Sequence, residues 1–463
     1  MQKEEISMLN SENPYLQNTE QIQAYARLCA ENSTIDPALY EKYDVKRGLR
    51  ERNGTGVMAG LTEIGEVHGY TMVDREKVPS EGRLYYRGID VRDFVNGFWS
   101  EGRFGYEECV YLLLFGQLPT KDQLKSFTEL LSFYRCLPKN FVRDVILKAP
   151  ATEVMNTLMR GVLALYPYDD KADDTSRDNM MRQCIQLIAR FPLLSVYGYQ
   201  AYNYYHNRQS LFIHAPNPEL SMAEDLLSIM RPDQSYTPLE ARLLDMSLVL
   251  HAEHGGGNNS TFTDHVVSST GTDTYSVMAA ALGSLKGPKH GGANIKVERM
   301  FADIKANVKD WTSDTEVTEY LRKIANKQAF DKSGLIYGIG HAVYTLSDPR
   351  CVLLKSAVKE LAAEKGRLDE FGLYEKVETL APDVLHEKLG TNKELCANVD
   401  FYSGFLYNLL GIPHEMFTPL FAISRVSGWS AHRMEEGYSN KIIRPAFKNV
   451  HEHVEYASIG DRT

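Results

Sequence analysis

The chain has 463 residues, with 51 Lys and Arg against 61 Asp and Glu for a formal net charge of −10, a balance that argues against a basic nucleic-acid binder. With 43% hydrophobic and 24% charged residues it has the composition of a globular protein, and the length allows roughly three units or one large enzyme with an inserted subdomain. The six cysteines (Cys29, Cys109, Cys136, Cys184, Cys351, Cys396) are scattered with no short ligand spacing, so a reducing, cytoplasmic setting is expected rather than a disulfide scaffold or zinc knuckle. The N-terminal MQKEEISMLN reads as no targeting peptide. The apolar cluster VYLLLFG at 110–116 falls short of the roughly 18 residues of a membrane span, so no membrane partner is expected.

In chain order, 17–48 reads as helical. VHGYTMV at 67–73 and RLYYRGI at 83–89 read as the two strands of a hairpin, separated by a charged turn containing Pro79 and Gly82. A helix around Tyr111 to Phe115 is closed by Gly116 and Pro119, and Thr120 with Gln123 opens the next. The stretch 175–204 is helical. Thr237, Glu240 and Pro238 form a capping box with proline at the first helical position, ahead of an apolar stripe at Leu239, Leu243, Met246 and Leu250. Ser313 with Glu316 starts another helix, and 350–388 and 414–436 follow. Strands do not alternate with helices, so the fold class is all-α with one minor β-hairpin. Glycine clusters at 255–257, 287–292 and 334–340 break the pattern where a helical scaffold can offer loops to a ligand.

Three motifs are weak. GTGVMAG at 54–60, with Asp74 downstream, satisfies a loose dinucleotide pattern but follows GLRERN, which is no strand. HGGG at 254–257 lacks a partner nucleophile elbow, since GWSAH at 428–432 is missing its second glycine. His251 and His254 have no further ligand cluster in sequence, and no metal is expected.

Stronger signals lie in the second half. His254, four residues past Leu250, continues the apolar stripe and should point inward at a helix C-terminus, with GGGNN opening the backbone after it. His290 in GPKHGGAN precedes a helix expected from Ala293, whose positive end disfavours protonation and leaves a neutral imidazole able to donate one hydrogen bond. An incidental histidine in a glycine-rich connector explains that motif equally well. His341 in GIGHAVY has Arg350 nine residues on, and a fixed cation near a donor suits a carboxylate beside a polarised carbonyl. Asp400 in NVDFYSG stands where a helix begins. It reads either as the N-cap or as a carboxylate base that burial would strengthen.

Taken together, HAEHGGGNNSTF (251–262), LKGPKHGGAN (285–294), YGIGHAVY with SDPR (337–350), NVDFYSG (398–404) and FAISRVSGWSAH (421–432) resemble the citrate synthase family, in family order. EGRLYYRGIDV (81–91) and YLLLFGQLPT (111–120) extend the resemblance to roughly residues 50–447. It implies a two-domain helical homodimer, with a large domain of 1–288 and 392–463 and a smaller mobile domain of 289–391. It also implies condensation of acetyl-CoA with oxaloacetate and hydrolysis of citryl-CoA, or, as the runner-up, 2-methylcitrate synthesis from propionyl-CoA. No cofactor is bound tightly, and coenzyme A enters as a thioester substrate. Carried over by position, Asp400 removes the α-proton, His290 hydrogen-bonds the enol oxygen and His341 polarises the ketone. His254, Arg350 and Arg425 bind the dicarboxylate, Arg444 reaches in from the other subunit, and Leu335, Gly338 and Lys388 contact coenzyme A. The chain departs from the family at Gly255, where Glu is frequent, at Lys289, where Leu is common, and after Arg444 in RPAFKNV. AVYTLSDP also lacks the basic residue that many members offer a CoA phosphate, a role that Lys289, Lys388 or Lys393 could take. A nucleotide-binding dehydrogenase and an inactive helical scaffold are the competing readings from other classes.

Overall fold

The computed structural model describes residues 16–73, 76–390, 394–439 and 441–462, and for Met72, Val73, Glu76, Lys77 and Asp461 the backbone alone. The chain divides into two compact units at Gly60 and Leu61. In the first, the expected 17–48 helix is two helices, α1 (Glu20–Asn32) and α2 (Pro37–Lys42). Asp36, accepting from the Ala38 N–H with Pro37 behind it, restarts the helix and accounts for the break. Neither helix buries a residue.

The second unit opens with a sheet of three strands, β1 (Gly65–Val73), β2 (Glu76–Tyr86) and β3 (Ile89–Asp90), all antiparallel. The hairpin is longer than its sequence pattern, because Pro79 and Gly82 lie inside β2 rather than in a turn, with Pro79 opposite Tyr70. Helices α3 (Val91–Ser100), α4 (Tyr106–Phe115), α5 (Lys121–Tyr134) and α6 (Val154–Leu165) lead to α7 (Arg177–Asn207). This last one runs through Pro192 without ending. Then come α8 (Met222–Met230), α9 (Pro238–His251), α10 (Asn259–Ser268), α11 (Thr274–Leu285), α12 (Ala293–Asn307) and α13 (Asp314–Ala325). The capping boxes of α5 and α9 close reciprocally, as the sequence predicts. Ser313 caps α13 alone, because Glu316 accepts instead from the Lys309 and Asp310 N–H groups. The stretch expected as one helix at 350–388 is α14 (Pro349–Glu364) and α15 (Leu368–Leu389), parted at Gly366, where φ is +67°. Helices α16 (Val399–Leu409) and α17 (Phe417–Glu436) finish the scaffold, and residues 441–458 carry no helix or strand.

Helix α17 is buried on all its faces from Phe417 to Arg433, so it forms the axis of the core, packed against α4, α7, α9, α10 and α11. A second cluster joins α12, α14, α15 and α16, with the Tyr374 ring stacked between Phe301 at 3.4 Å and Phe405 at 4.5 Å. Helix α9 touches both α17 and α14, linking the two clusters. The sheet has a structural task as well: Gly69 O accepts from Thr345 Oγ1 at 3.2 Å and Gly82 N–H donates to Ser347 Oγ at 3.2 Å. A Cβ at Gly82 would lie 2.0 Å from the Ser347 carbonyl oxygen, so only glycine lets the sheet lie on the segment after His341. No helix among the described residues is long and apolar enough to cross a membrane.

Candidate active site

Helix α9 ends at His251, so its stripe leaves the helix before reaching His254, which lies three residues beyond on a turn instead of on the helix. The Tyr86 hydroxyl holds that turn by donating to Val249 O at 2.9 Å, with Glu253 O at 3.3 Å. His254 is nevertheless buried, and its Nε2 has no hydrogen-bond partner among the described residues. Burial, then Arg350 and His341, hold it well below the ordinary histidine range. From the middle of α17, Arg425 donates Nε–H to His251 O at 2.7 Å and lies 4.8 Å from the Phe421 ring centroid. Its Nη1 and Nη2 are fully buried with no acceptor among the described residues. Burial lowers Arg425 to about 10, opposed by Glu253, so it stays cationic at neutral pH. Buried forked donors of this kind have the geometry to meet the two oxygens of a carboxylate.

The His341 segment is zipped to the start of α16. Asn398 N–H donates to Gly338 O at 2.9 Å, Gly340 N–H to Cys396 O at 2.7 Å and Asn398 Nδ2 to Gly340 O at 2.9 Å. Gly338 is required there: φ is +84°, and a Cβ would lie 2.7 Å from Phe401 Cδ2. Asn398, not Asp400, caps α16, accepting the Asp400 N–H at 3.0 Å. An amide two residues earlier already does the capping, so the Asp400 carboxylate is left for other work. Asp348 ties α14 to α16, accepting from the Arg350 N–H, from Arg350 Nε and Nη2 at 3.0 and 2.7 Å, and from the Val399 N–H at 3.1 Å. Burial disfavours the Arg350 cation, but Asp348 outweighs it and raises Arg350 above its ordinary value.

His341 Nδ1 accepts two backbone N–H bonds, from Val343 and Tyr344, each at 3.1 Å. That bonding pattern assigns the ring proton to Nε2, making this nitrogen a donor. The ring stacks on Tyr344 at 4.6 Å and meets His254 edge-on at 5.2 Å. His290 precedes α12 as predicted, with Nε2 3.0 Å from Ser260 Oγ. It is lowered to about 4, and the causes are burial and then the Arg425 cation, rather than the helix end. Asp400 is raised to about 6 by burial, with Arg350 and Arg425 restraining the rise and Asp348 adding to it. At neutral pH the site therefore presents an ionised Asp400 carboxylate, neutral His254 and His290 imidazoles and two arginines.

Residues 52–446 match the family model described as "Citrate synthase, C-terminal domain". The chain belongs to the citrate synthase family. It is 33% identical to the citrate synthase of Haloferax volcanii over 408 residues, which is 87% of this chain and 94% of that one. It is also 32% identical to 2-methylcitrate synthase 2 of Corynebacterium glutamicum over 426 residues, 90% of this chain and 98% of the other. The crystal structure of citrate synthase from Pyrobaculum aerophilum superposes with a TM-score of 0.72 at 28% identity, covering 90% of this chain and 95% of that chain. The protein is thus a condensing enzyme of the citrate synthase type with its mostly helical fold.

In this citrate synthase family chain, His254, His341, Arg350, Arg425, His290 and Asp400 share one electrostatic neighbourhood, with Arg425 acting on His254, His290 and Asp400. Arg444 is exposed in the irregular segment after α17. Leu335 is 56% exposed, Lys289 is exposed, and Lys388 Nζ donates to Gly334 O at 2.7 Å. Lys393 and Asp74 lie outside the described residues. The sequence reading missed Asp348, Ser260 and Glu253. The first has a readable signal, since Asp-Pro-Arg places a cap, a first-turn proline and a cation in register. Ser260 and Glu253 have none, because their partners His290 and His432 are 30 and 179 residues away.

Proposed function

We propose that this chain condenses acetyl-CoA with oxaloacetate and hydrolyses the resulting citryl-CoA to citrate and CoA. The observation carrying the reading is a pair of groups displaced in opposite directions, Asp400 up to about 6 and His290 down to about 4. Such a divergent pair matches a base and a neutral hydrogen-bond donor working together near pH 7. Asp400 takes a proton from the acetyl methyl group, and the C–H electrons form the enol whose oxygen His290 stabilises. For His290 to donate from Nδ1, its Nε2 must accept the Ser260 hydroxyl proton at 3.0 Å, so that proton turns to it from Asn258 Oδ1, which lies equally near Ser260 Oγ. The enol carbon then attacks the oxaloacetate ketone, whose oxygen takes up the proton on His341 Nε2. Water cleaves the thioester and releases CoA as its thiol.

Arg425, His254 and Arg350 would hold the two carboxylates, with Arg444 supplied by a second copy in a homodimer. Exposed apolar residues along the Arg444 segment and beyond it (Ile442, Phe447, Val454, Tyr456) support a partner chain there. In this reading residues 289–391 close over the substrates as the smaller domain, the protein works in the cytoplasm in the tricarboxylic acid cycle, and Leu335, Gly338 and Lys388 meet coenzyme A. Relatives named 2-methylcitrate synthase match as well as those named citrate synthase, which favours propionyl-CoA as the second reading. One methylene discriminates by only about 1–3 kcal/mol. Thiol release with oxaloacetate and either acetyl-CoA or propionyl-CoA tests both. Faster release with acetyl-CoA, abolished in His290→Ala and Asp400→Asn, is expected; a preference for propionyl-CoA replaces the first reading by the second.

A further inference from the structure

Behind the substrate pocket, α10 and α17 bring together a group of side chains that the condensation does not use. His265 Nε2 and His432 Nδ1 face each other at 3.1 Å. The far nitrogen of each ring is on a carboxylate: His432 Nε2 lies 3.0 Å from Glu253 Oε1, and His265 Nδ1 lies 2.8 Å from Glu436 Oε2. Glu435 adds a third carboxylate. Its Oε1 accepts the Glu63 N–H at 2.8 Å, while its Oε2 is buried with no partner within hydrogen-bond distance among the described residues and lies 3.7 Å from His432 Nδ1. Ligand atoms of His265, His432 and Glu435 all fall within 4.8 Å of one another.

We propose that His265 Nε2, His432 Nδ1 and the Glu435 carboxylate form a binding site for a zinc-class divalent cation. Three observations carry it. A metal about 2.0–2.1 Å from two nitrogens places them about 2.9–3.4 Å apart for bond angles between a right angle and tetrahedral, and the rings are already at that separation. Histidine ligands of metals characteristically have their other nitrogen on a carboxylate, and both rings do here. Finally, the orphaned Glu435 oxygen supplies an anionic third ligand, the two-histidine, one-carboxylate set that zinc and related metals accept. Gly256 borders the cluster without a side chain: an added Cβ would stand 3.5 Å from His265 Nε2 and 3.6 Å from His432 Cε1. The site is coupled to the pocket through Glu253, which also accepts the Gly255 N–H at 2.5 Å and directly precedes His254. A bound cation therefore braces the turn that carries a dicarboxylate-binding histidine.

The test uses the full chain, stripped with chelator and titrated with cobalt(II) as a spectroscopic probe, then with zinc(II). One cobalt per chain with an intense visible band of four- or five-coordinate geometry is expected, displaced by zinc. Glu435→Gln and His265→Ala should each weaken binding at least about tenfold, with helical circular dichroism unchanged. If His265→Ala does not fold, Glu435→Gln decides, since glutamine keeps the oxygen that accepts the Glu63 N–H. A crystal soaked in zinc should show an anomalous peak among the three ligands. Cobalt spectra that remain octahedral, cobalt binding equal in Glu435→Gln, or no anomalous peak there would each overturn the site. None of these readouts depends on which acyl-CoA the enzyme uses.

Discussion

Replacing Arg425 by methionine separates what the residue does for the fold from what it does for the substrate. The side chain is fully buried, and its only hydrogen-bonded partner among the described residues is the His251 carbonyl. Its pKa falls from 12.5 to about 10. A shift of about 2.5 units means the fold disfavours this cation by roughly 3 kcal/mol. The sign follows from linkage: the base is depressed in the folded state, so the penalty is fully present below pH 10, fades as pH rises from there, and is gone above the unfolded value of 12.5. Methionine removes that penalty but leaves the His251 carbonyl without its donor, at a cost of about 1–3 kcal/mol. The two nearly cancel. Arg425→Met should therefore unfold within about 4 °C of the parent enzyme in a thermal melt. Catalysis should collapse. Two charge-assisted hydrogen bonds to a carboxylate are worth about 1.5–3 kcal/mol each, so kcat/KM for oxaloacetate falls roughly 10²- to 10⁴-fold. Oxaloacetate should raise the melting temperature of the parent by mass action and leave that of the variant unchanged. A variant that loses several kcal/mol of stability, or one whose kcat/KM for oxaloacetate drops less than tenfold, would refute the view that Arg425 is held ready for an anion.

The acidic limb of the pH profile should report Asp400, with kcat/KM for the acyl-CoA rising as pH passes about 6 and His290 remaining neutral above about 4. The same raised carboxyl costs stability once ionised, an effect absent below its unfolded value near 3.8 and complete above about 6. Asp400→Asn should accordingly melt higher than the parent at pH 7.5, equal to it near pH 3.5, and release no thiol. Asp348→Ala removes the α14 cap, the Val399 contact and the partner of buried Arg350 together, so a loss of about 3–5 kcal/mol in denaturant unfolding is expected. Gly82→Ala forces a Cβ to 2.0 Å from Ser347 O; it should displace the His341–Ser347 segment and raise the KM for oxaloacetate more than that for the acyl-CoA, as steady-state kinetics would show.

How far the sequence disclosed this molecule depended on the range of the interaction behind each feature. Local chemistry was legible. The Thr120 and Thr237 caps, the helix after Ala293 and the closure at Gly116 each arise within four residues, and the structure has all of them. Errors appeared where a local pattern met a distant constraint. Pro79 and Gly82 look like a turn, yet Gly82 is small because Ser347 presses on the strand from 265 residues away. Asp400 looks like a helix cap until Asn398 is seen doing that work.

The electrostatics show the same division at the level of function. The sequence pointed to a neutral His290 and attributed it to the end of α12, but burial and a cation contributed by α17 hold it neutral. The protonation states of His290 and Asp400 are thus both set partly by Arg425, 135 and 25 residues away in sequence. Burial leads in both cases; the Arg425 guanidinium adds to it in holding His290 neutral and, behind Arg350, helps restrain the rise of Asp400. A dicarboxylate arriving at Arg425 would neutralise that influence. In the proposed reaction Asp400 would then become a somewhat stronger base once the electrophile is in place, which would tie proton abstraction to oxaloacetate binding.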